Sequence, residues 1–156
     1  MRPAADLPGA ADLVARWHWD AWATPNSGSL GQWTERLRGW CRVDGFPILL
    51  VAVVGDAVAG SVSLVASDMP ADPTYGARGP WLSGLYVPRD RRRQGIGTLL
   101  VGECERHAAS CGISDLLLYT GAAQRLYERL GWSVMDHVVY DDEKSVVMSK
   151  RLAPKV

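Results

Sequence analysis

Residues 90–100 read DRRRQGIGTLL: an aspartate, three arginines, then Gly95 and Gly97 set one residue apart, then an apolar run. The chain carries 17 Lys and Arg against 17 Asp and Glu, so this is a local concentration of charge beside backbone that is almost bare of side chains. The preceding WLSGLYV, 81–87, reads as a strand. After it, Leu99, Leu100, Cys104, His107, Ala108 and Cys111 recur at helical spacing up to Gly112. A strand, a glycine turn and a helix start gather unpaired backbone N–H groups and the positive end of the helix dipole at one point. Such a point binds phosphate. Gly95 and Gly97 let an anion reach the amides, and Arg92 and Arg93 add charge that phosphate can pair with. A diphosphate is the expected occupant.

The remainder of the chain narrows the alternatives. Its 156 residues fit one domain, 1–156, and 47% hydrophobic content is enough for one core. Balanced charge provides no global field for nucleic acid or anionic lipid, so neither is an expected partner. No apolar stretch approaches the roughly 20 residues of a membrane span, and MRPAADLPGA lacks the apolar core of a signal peptide. A cytoplasmic protein is the default. Cys41, Cys104 and Cys111 show no CxxC spacing and read as small buried hydrophobes rather than a disulfide framework or zinc site. His18, His107 and His137 are far apart, and no metal is expected.

Leu13, Val14, Trp17 and Ala21 predict an amphipathic helix over 9–22, and Ser29 caps a second, 30–43, with Leu30, Trp33, Leu37 and Trp40 or Cys41 on one face. From Phe46 two β-branched runs flank Gly55-Asp56, the signature of a hairpin. The Pro, Gly and Asp-rich stretch DMPADPTYGARGP is a loop long enough to border a substrate site. Gly84 marks a bulge or weak point in the next strand. ISDLLLYT is a strand, GAAQRLYERLG a short helix, and 132–152 a closing hairpin about Asp141-Asp142-Glu143, with APKV a frayed tail. The predicted order is α, α, β, β, β, α, β, α, β, β.

Two familiar phosphate loops fail. A Walker loop needs Gly-Lys-Ser/Thr, whereas Thr98 follows Gly97 directly; the dinucleotide fingerprint needs a glycine or alanine where Leu100 stands. The pattern that remains is Arg/Gln-x-x-Gly-x-Gly/Ala, here Arg92-Arg93-Gln94-Gly95-Ile96-Gly97. With GSVSL, LYVPRDRRRQGIGTLL and LYTGAAQRLYERLGW in order, the chain over about 45–132 resembles the GNAT superfamily of acyl-CoA-dependent N-acetyltransferases.

That resemblance implies an α/β (α+β) fold: a mixed, mostly antiparallel central sheet flanked by helices, with a splayed strand before the loop. The implied cosubstrate is acetyl-CoA, with no metal. Its pantetheine arm would pair with the backbone of Leu85, Tyr86 and Val87, and its pyrophosphate would sit on the amides of Arg92, Arg93, Gln94, Gly95, Ile96, Gly97 and Thr98. The side chains of Arg91 to Arg93 would reach the adenosine phosphates. Tyr127 stands where relatives carry a tyrosine that protonates the departing thiolate; Ala123, Leu126, Tyr127 and Leu130 also form a helical stripe, so a core role is open. Thr120 replaces a common pantetheine-binding asparagine, or caps the next helix.

Some relatives place a glutamate on the strand before the loop, and WLSGLYV has no carboxylate. Asp68, beside the long loop, is the candidate general base; Ser83 would orient a water, and His18 has a suitable pKa but sits where packing residues are common. The resemblance makes the two opening helices the acceptor wall, and five of seven tryptophans lie there, at 17, 19, 22, 33 and 40. The implied acceptor is a primary amine on a small molecule or peptide, and a homodimer is an analogy only. The rival reading is a non-catalytic acyl-CoA sensor of the same fold.

Overall fold

A computed structural model describes residues 1–153, so the predicted frayed tail lies, from residue 154 on, outside the described residues. Arg2–Pro3 form a two-residue strand, β1, that the sequence pattern did not announce; a short 3-10 turn leads to helix α1 (Ala10–Trp22) and then α2 (Leu30–Arg38). Strands β2 (Ile48–Val54), β3 (Ala57–Val65) and β4 (Trp81–Tyr86) follow, then a second 3-10 turn and α3 (Ile96–Ser110). β5 (Asp115–Thr120), α4 (Gln124–Arg129), β6 (Ser133–Tyr140) and β7 (Glu143–Arg151) complete the chain. The seven strands form one sheet in the order β1-β2-β3-β4-β5-β7-β6. Every neighbouring pair is antiparallel except β4 and β5. The predicted mixed, mostly antiparallel sheet flanked by helices is what forms.

Ser29 caps α2 as predicted, and reciprocally: its Oγ accepts from Gln32 N–H at 3.1 Å while Gln32 Oε1 accepts from Ser29 N–H at 3.0 Å. Losing one helix-terminal bond of this kind costs roughly 1 kcal/mol. Ser29→Ala is therefore expected to lower stability by about that amount at an unchanged denaturant m-value, measured by urea unfolding. α2 is shorter than its periodicity suggested. It stops at Arg38 instead of residue 43 because the Trp40 carbonyl leaves the helix to accept from Leu49 N–H at 2.9 Å, tying the chain to the sheet.

Two helix faces are rotated from their predicted positions. α1 packs through Ala11, Val14, Ala15 and His18, while Leu13 is 40% exposed. α3 packs through Ile96, Leu100, Val101, Cys104 and Ala108, and Leu99 points to solvent at 59% exposure. Cys104 is buried as expected, but Cys41 and Cys111 are only half-buried.

The sheet carries cores on both faces. On one, α3 and Tyr127 of α4 cover Val62, Leu64, Leu82, Leu116, Leu118 and Met148. On the other, α1 and α2 cover Leu49 and Val51, and the loop between β3 and β4 lays Met69 and Tyr75 over Trp81, Leu117 and Val147. Fully burying a side chain such as Leu100 or Leu118 contributes about 1.5–3 kcal/mol, and the two layers clamp strands that are otherwise loosely joined at the centre. β4 and β5 run parallel and, among the described residues, pair only at Trp81 and Leu117.

Candidate active site

The site grows from that single rung. Leu117 N–H bonds to Pro80 C=O at 3.1 Å, and beyond Trp81↔Leu117 no further β4–β5 pairing occurs among the described residues. The strands part toward their C-terminal ends and leave a seam. On its other edge β4 departs from regular pairing too: Ser63 faces Ser83 but Ser61 faces Tyr86, so β4 spends one residue more than β3 between those rungs. The surplus falls at Gly84, which adopts φ +62°. This is the predicted bulge. A left-handed backbone at this point needs glycine.

The end of β4 runs straight into the arginine and glycine turn. Gly95 caps α3 at φ +80° without any side-chain cap, and the first helical bond is Leu99 N–H to Gly95 C=O at 3.1 Å. The N–H groups of Ile96, Gly97 and Thr98 therefore have no partner within the helix. Arg93 is also left-handed, at φ +63°. Gly97 is helical, and a Cβ built there would meet nothing nearer than Val87 Cγ2 at 3.9 Å. No protein neighbour forbids a side chain at residue 97; its absence keeps open the space in front of the amides. Arg92 is engaged locally, its Nε donating to Val87 C=O at 2.8 Å and its guanidinium lying 5.7 Å from the Tyr86 ring. The structure thus brings Leu85, Tyr86 and Val87 to the same end of the sheet as Arg92 through Thr98. An unpaired strand end leading to a helix N-terminus is a place where a thin, anion-ended ligand can bind.

On the α1 face, Asp68 and Ser83 meet. Ser83 Oγ donates to Asp68 Oδ1 at 2.9 Å. Burial pushes the Asp68 carboxyl up to about 7, although the Ser83 hydrogen bond favours the ionised form. Tyr119 lies near: burial first, then the charges of Asp68, Tyr140, Asp141 and Glu143, hold its phenol above the ordinary value. Trp81 and Tyr140 pack edge-on to Tyr119 at 6.3 and 5.6 Å, and Tyr75 OH donates to Asp136 at 2.9 Å. Thr24 and Asn26, after α1, donate to Asp141 in the β6–β7 turn at 3.3 and 3.1 Å. The result is a wall of aromatic rings studded with carboxylates.

His18 has a larger place than its sequence context suggested. It is 3% exposed, its Nε2 lies 3.1 Å from Ser61 Oγ, and Ser61 Oγ donates to Gly84 C=O at 3.1 Å. Desolvation pulls the imidazole down to about 4, against the Gly84 carbonyl, which favours the charged form. Its ring packs on Trp22 at 4.8 Å, and Trp17 and Trp22 both contact Tyr86, at 5.6 and 5.8 Å. The signal was present: positions 11, 14, 15 and 18 are a helical stripe, and GSVSL alternates so that Ser61 and Ser63 share a face. Ser63 Oγ is buried with no hydrogen-bond partner among the described residues.

Tyr127 sits in the α3-side core, 5% exposed and edge-on to Trp132 at 6.1 Å; burial, with Cys104 nearby, raises its phenol pKa. Thr120 caps the approach to α4, its Oγ1 accepting from Ala123 N–H at 3.0 Å and Ala122 N–H at 3.4 Å. Among the described residues no three His, Cys, Asp or Glu gather as a metal site, and no helix is long and apolar enough to cross a membrane.

The model of the Acetyltransferase (GNAT) family matches residues 12–132. An aminoglycoside 6'-N-acetyltransferase solved in complex with coenzyme A superposes with TM-score 0.73 at 21% identity, over 97% of this chain and 95% of that one. The aminoglycoside 6'-N-acetyltransferase from Enterococcus faecium gives 0.69 at 21% identity, over 97% and 95%. A ribosomal-protein-alanine N-acetyltransferase from Brucella melitensis gives 0.69 at 25% identity, over 95% of each chain.

Proposed function

Because the chain belongs to the acetyltransferase (GNAT) family, we propose that it moves an acetyl group from acetyl-CoA to a primary amine of a small cationic molecule, by direct attack with both substrates bound. The observation that carries this reading is the seam: β4 and β5 part after one rung and lead to the three amides at the start of α3 that have no partner within the helix. The fit is to a long ligand with a diphosphate near one end. Leu85, Tyr86 and Val87 would hold its arm by their backbone, and Arg92 through Thr98 its pyrophosphate.

Acetyl-CoA, when bound, supplies the activated acetyl thioester. Asp68, with a carboxyl that titrates near neutrality and an orienting bond from Ser83, accepts the proton that the attacking ammonium must lose. Backbone N–H groups at the Gly84 bulge stabilise negative charge as it develops on the carbonyl oxygen. The Tyr127 phenol stays neutral at every physiological pH and returns a proton to sulfur. Tyr127→Phe is expected to lower kcat about 100-fold with acetyl-CoA affinity, measured by calorimetric titration, within threefold. An unchanged kcat with binding retained would remove this assignment.

For the acceptor, two of the similar structures are aminoglycoside acetyltransferases and one acts on a ribosomal-protein alanine. The carboxylates of Asp68, Asp141 and Glu143 around Tyr119 favour an amine that carries further positive charge. A panel comparing amino sugars, simple monoamines and neutral peptides with free α-amines tests this. Higher kcat/KM on amino sugars that carry several amines is the expected result. Faster turnover of a neutral peptide would move the acceptor class, and no acetyl-CoA binding by the wild type would remove the acetyltransferase reading itself.

A further inference from the structure

We propose that His18 and Ser61 form a buried strut that fixes the peptide between Gly84 and Leu85, aiming the Leu85 N–H into the β4–β5 seam, so that both act as positioning residues for acetyl transfer. This rests on the acetyltransferase reading above, but the strut itself is read from geometry.

A bulge removes a rung from the sheet and leaves a backbone group to be satisfied elsewhere. Here the group is the Gly84 carbonyl, and its partner is a side chain: Ser61 Oγ, across on β3, donates to it at 3.1 Å. A serine hydroxyl has one proton, and a carbonyl can only accept. With that proton committed, the contact between Ser61 Oγ and His18 Nε2 at 3.1 Å has one possible direction: the imidazole donates. His18 is therefore the neutral Nε2–H tautomer, at the head of a two-step chain that ends on Gly84. The ring also occupies the space over that residue, since a Cβ built on Gly84 would come within 2.9 Å of His18 Cε1.

The consequence follows from peptide planarity. In a trans peptide the C=O and the next N–H point in opposite directions. The Gly84 carbonyl is held toward β3, so the Leu85 N–H faces the other way, to the side from which β5 has withdrawn. An amide fixed there by a rigid partner needs no reorganisation when charge appears in front of it. Packing alone would not call for this arrangement, because an apolar side chain at residue 18 would fill the same volume without burying a ring N–H. Trp22, Trp33 and Tyr86 surround the ring and keep it in place.

Gly84-Leu85 is the only Gly-Leu dipeptide in the chain, so labelling glycine with 13C at the carbonyl and leucine with 15N yields a single cross-peak that reports this peptide. Ser61→Ala and His18→Leu should each displace that peak and lower kcat by 10- to 100-fold, with acetyl-CoA Kd within threefold. His18→Gln, which keeps an N–H donor near the Nε2 position, should recover most of the loss, and the pH profile should keep its shape in every variant. If Ser61→Ala leaves both the peak and kcat unmoved, or if kcat falls only in step with Tm and acetyl-CoA affinity, the strut is overturned. Should the wild type bind acetyl-CoA yet acetylate no amine, the acetyltransfer reading fails separately and the peak alone decides: displaced in Ser61→Ala, the strut stands; unmoved, it falls.

Discussion

Asp68→Asn is expected to lower kcat by about 10²- to 10³-fold and to abolish the rise of kcat/KM with pH expected of the wild type around neutrality. The amide keeps the shape of the side chain and its place beside Ser83, so the loss isolates proton acceptance. The same substitution should raise stability at high pH. Burial holds the folded-state pKa of Asp68 near 7, above its ordinary 3.8. Between those values the native state binds more protons than the unfolded chain, so stability falls as pH rises from about 4 through 7, and the cost is fully present above 7. An asparagine carries no such cost. At pH 8 the variant should melt several degrees above the wild type, while at pH 3 the two should melt together. A variant that kept the wild-type pH limb would transfer the role of base to another group. One that lost stability at pH 8 would mean that Asp68 is ionised and well solvated in the folded protein.

Gly97→Glu is expected to weaken acetyl-CoA binding by on the order of 100-fold, because it replaces an open anion cradle with a carboxylate. The fold should tolerate it well. Gly97 has helical geometry and nothing within 3.9 Å of its would-be Cβ, glutamate is the better helix former by several tenths of a kcal/mol, and a negative charge in the first turn complements the helix dipole. Titration calorimetry beside a thermal melt checks both halves at once. Lost affinity at equal or higher Tm is the expected pair of results. Affinity retained within threefold would place the pyrophosphate away from this helix start.

Most of what positions the site could be read from local chemistry. The hairpin at Gly55-Asp56, the Ser29 cap, the helix opening at Gly95 and the bulge at Gly84 each follow from one or two residues whose backbone preferences are strong. Asp68 and Ser83, named separately from the sequence, prove to be hydrogen-bonded to each other. What could not be read depends on partners distant in the chain. α2 ends early because Leu49 captures the Trp40 carbonyl. β1 exists because Arg2 and Pro3 find the free edge of β2. α1 turns Ala11, Val14, Ala15 and His18 toward the sheet and α3 turns Ile96, Leu100, Val101 and Cys104, whereas a count of apolar residues places both faces about one position away. His18 is hard to read for the same reason: a histidine on a helix looks ordinary until a serine 43 positions later is seen beneath it.

The lone β4–β5 rung has a mechanical meaning. A seven-stranded sheet normally distributes load along every ladder, but here β1 to β4 and β5 to β7 are two plates that, among the described residues, pair along their backbones at the single Trp81–Leu117 rung. Side chains above and below do the rest of the joining: Leu82 with Leu116 and Leu118 on one face, Trp81 with Leu117 and Val147 on the other. Such side-chain contacts resist separation of the plates but offer little to stop them shearing past each other. A ligand arm lying between the plates, bonded along β4, would supply the missing rungs, and the substrate of the reaction would then be the keystone of the sheet that binds it.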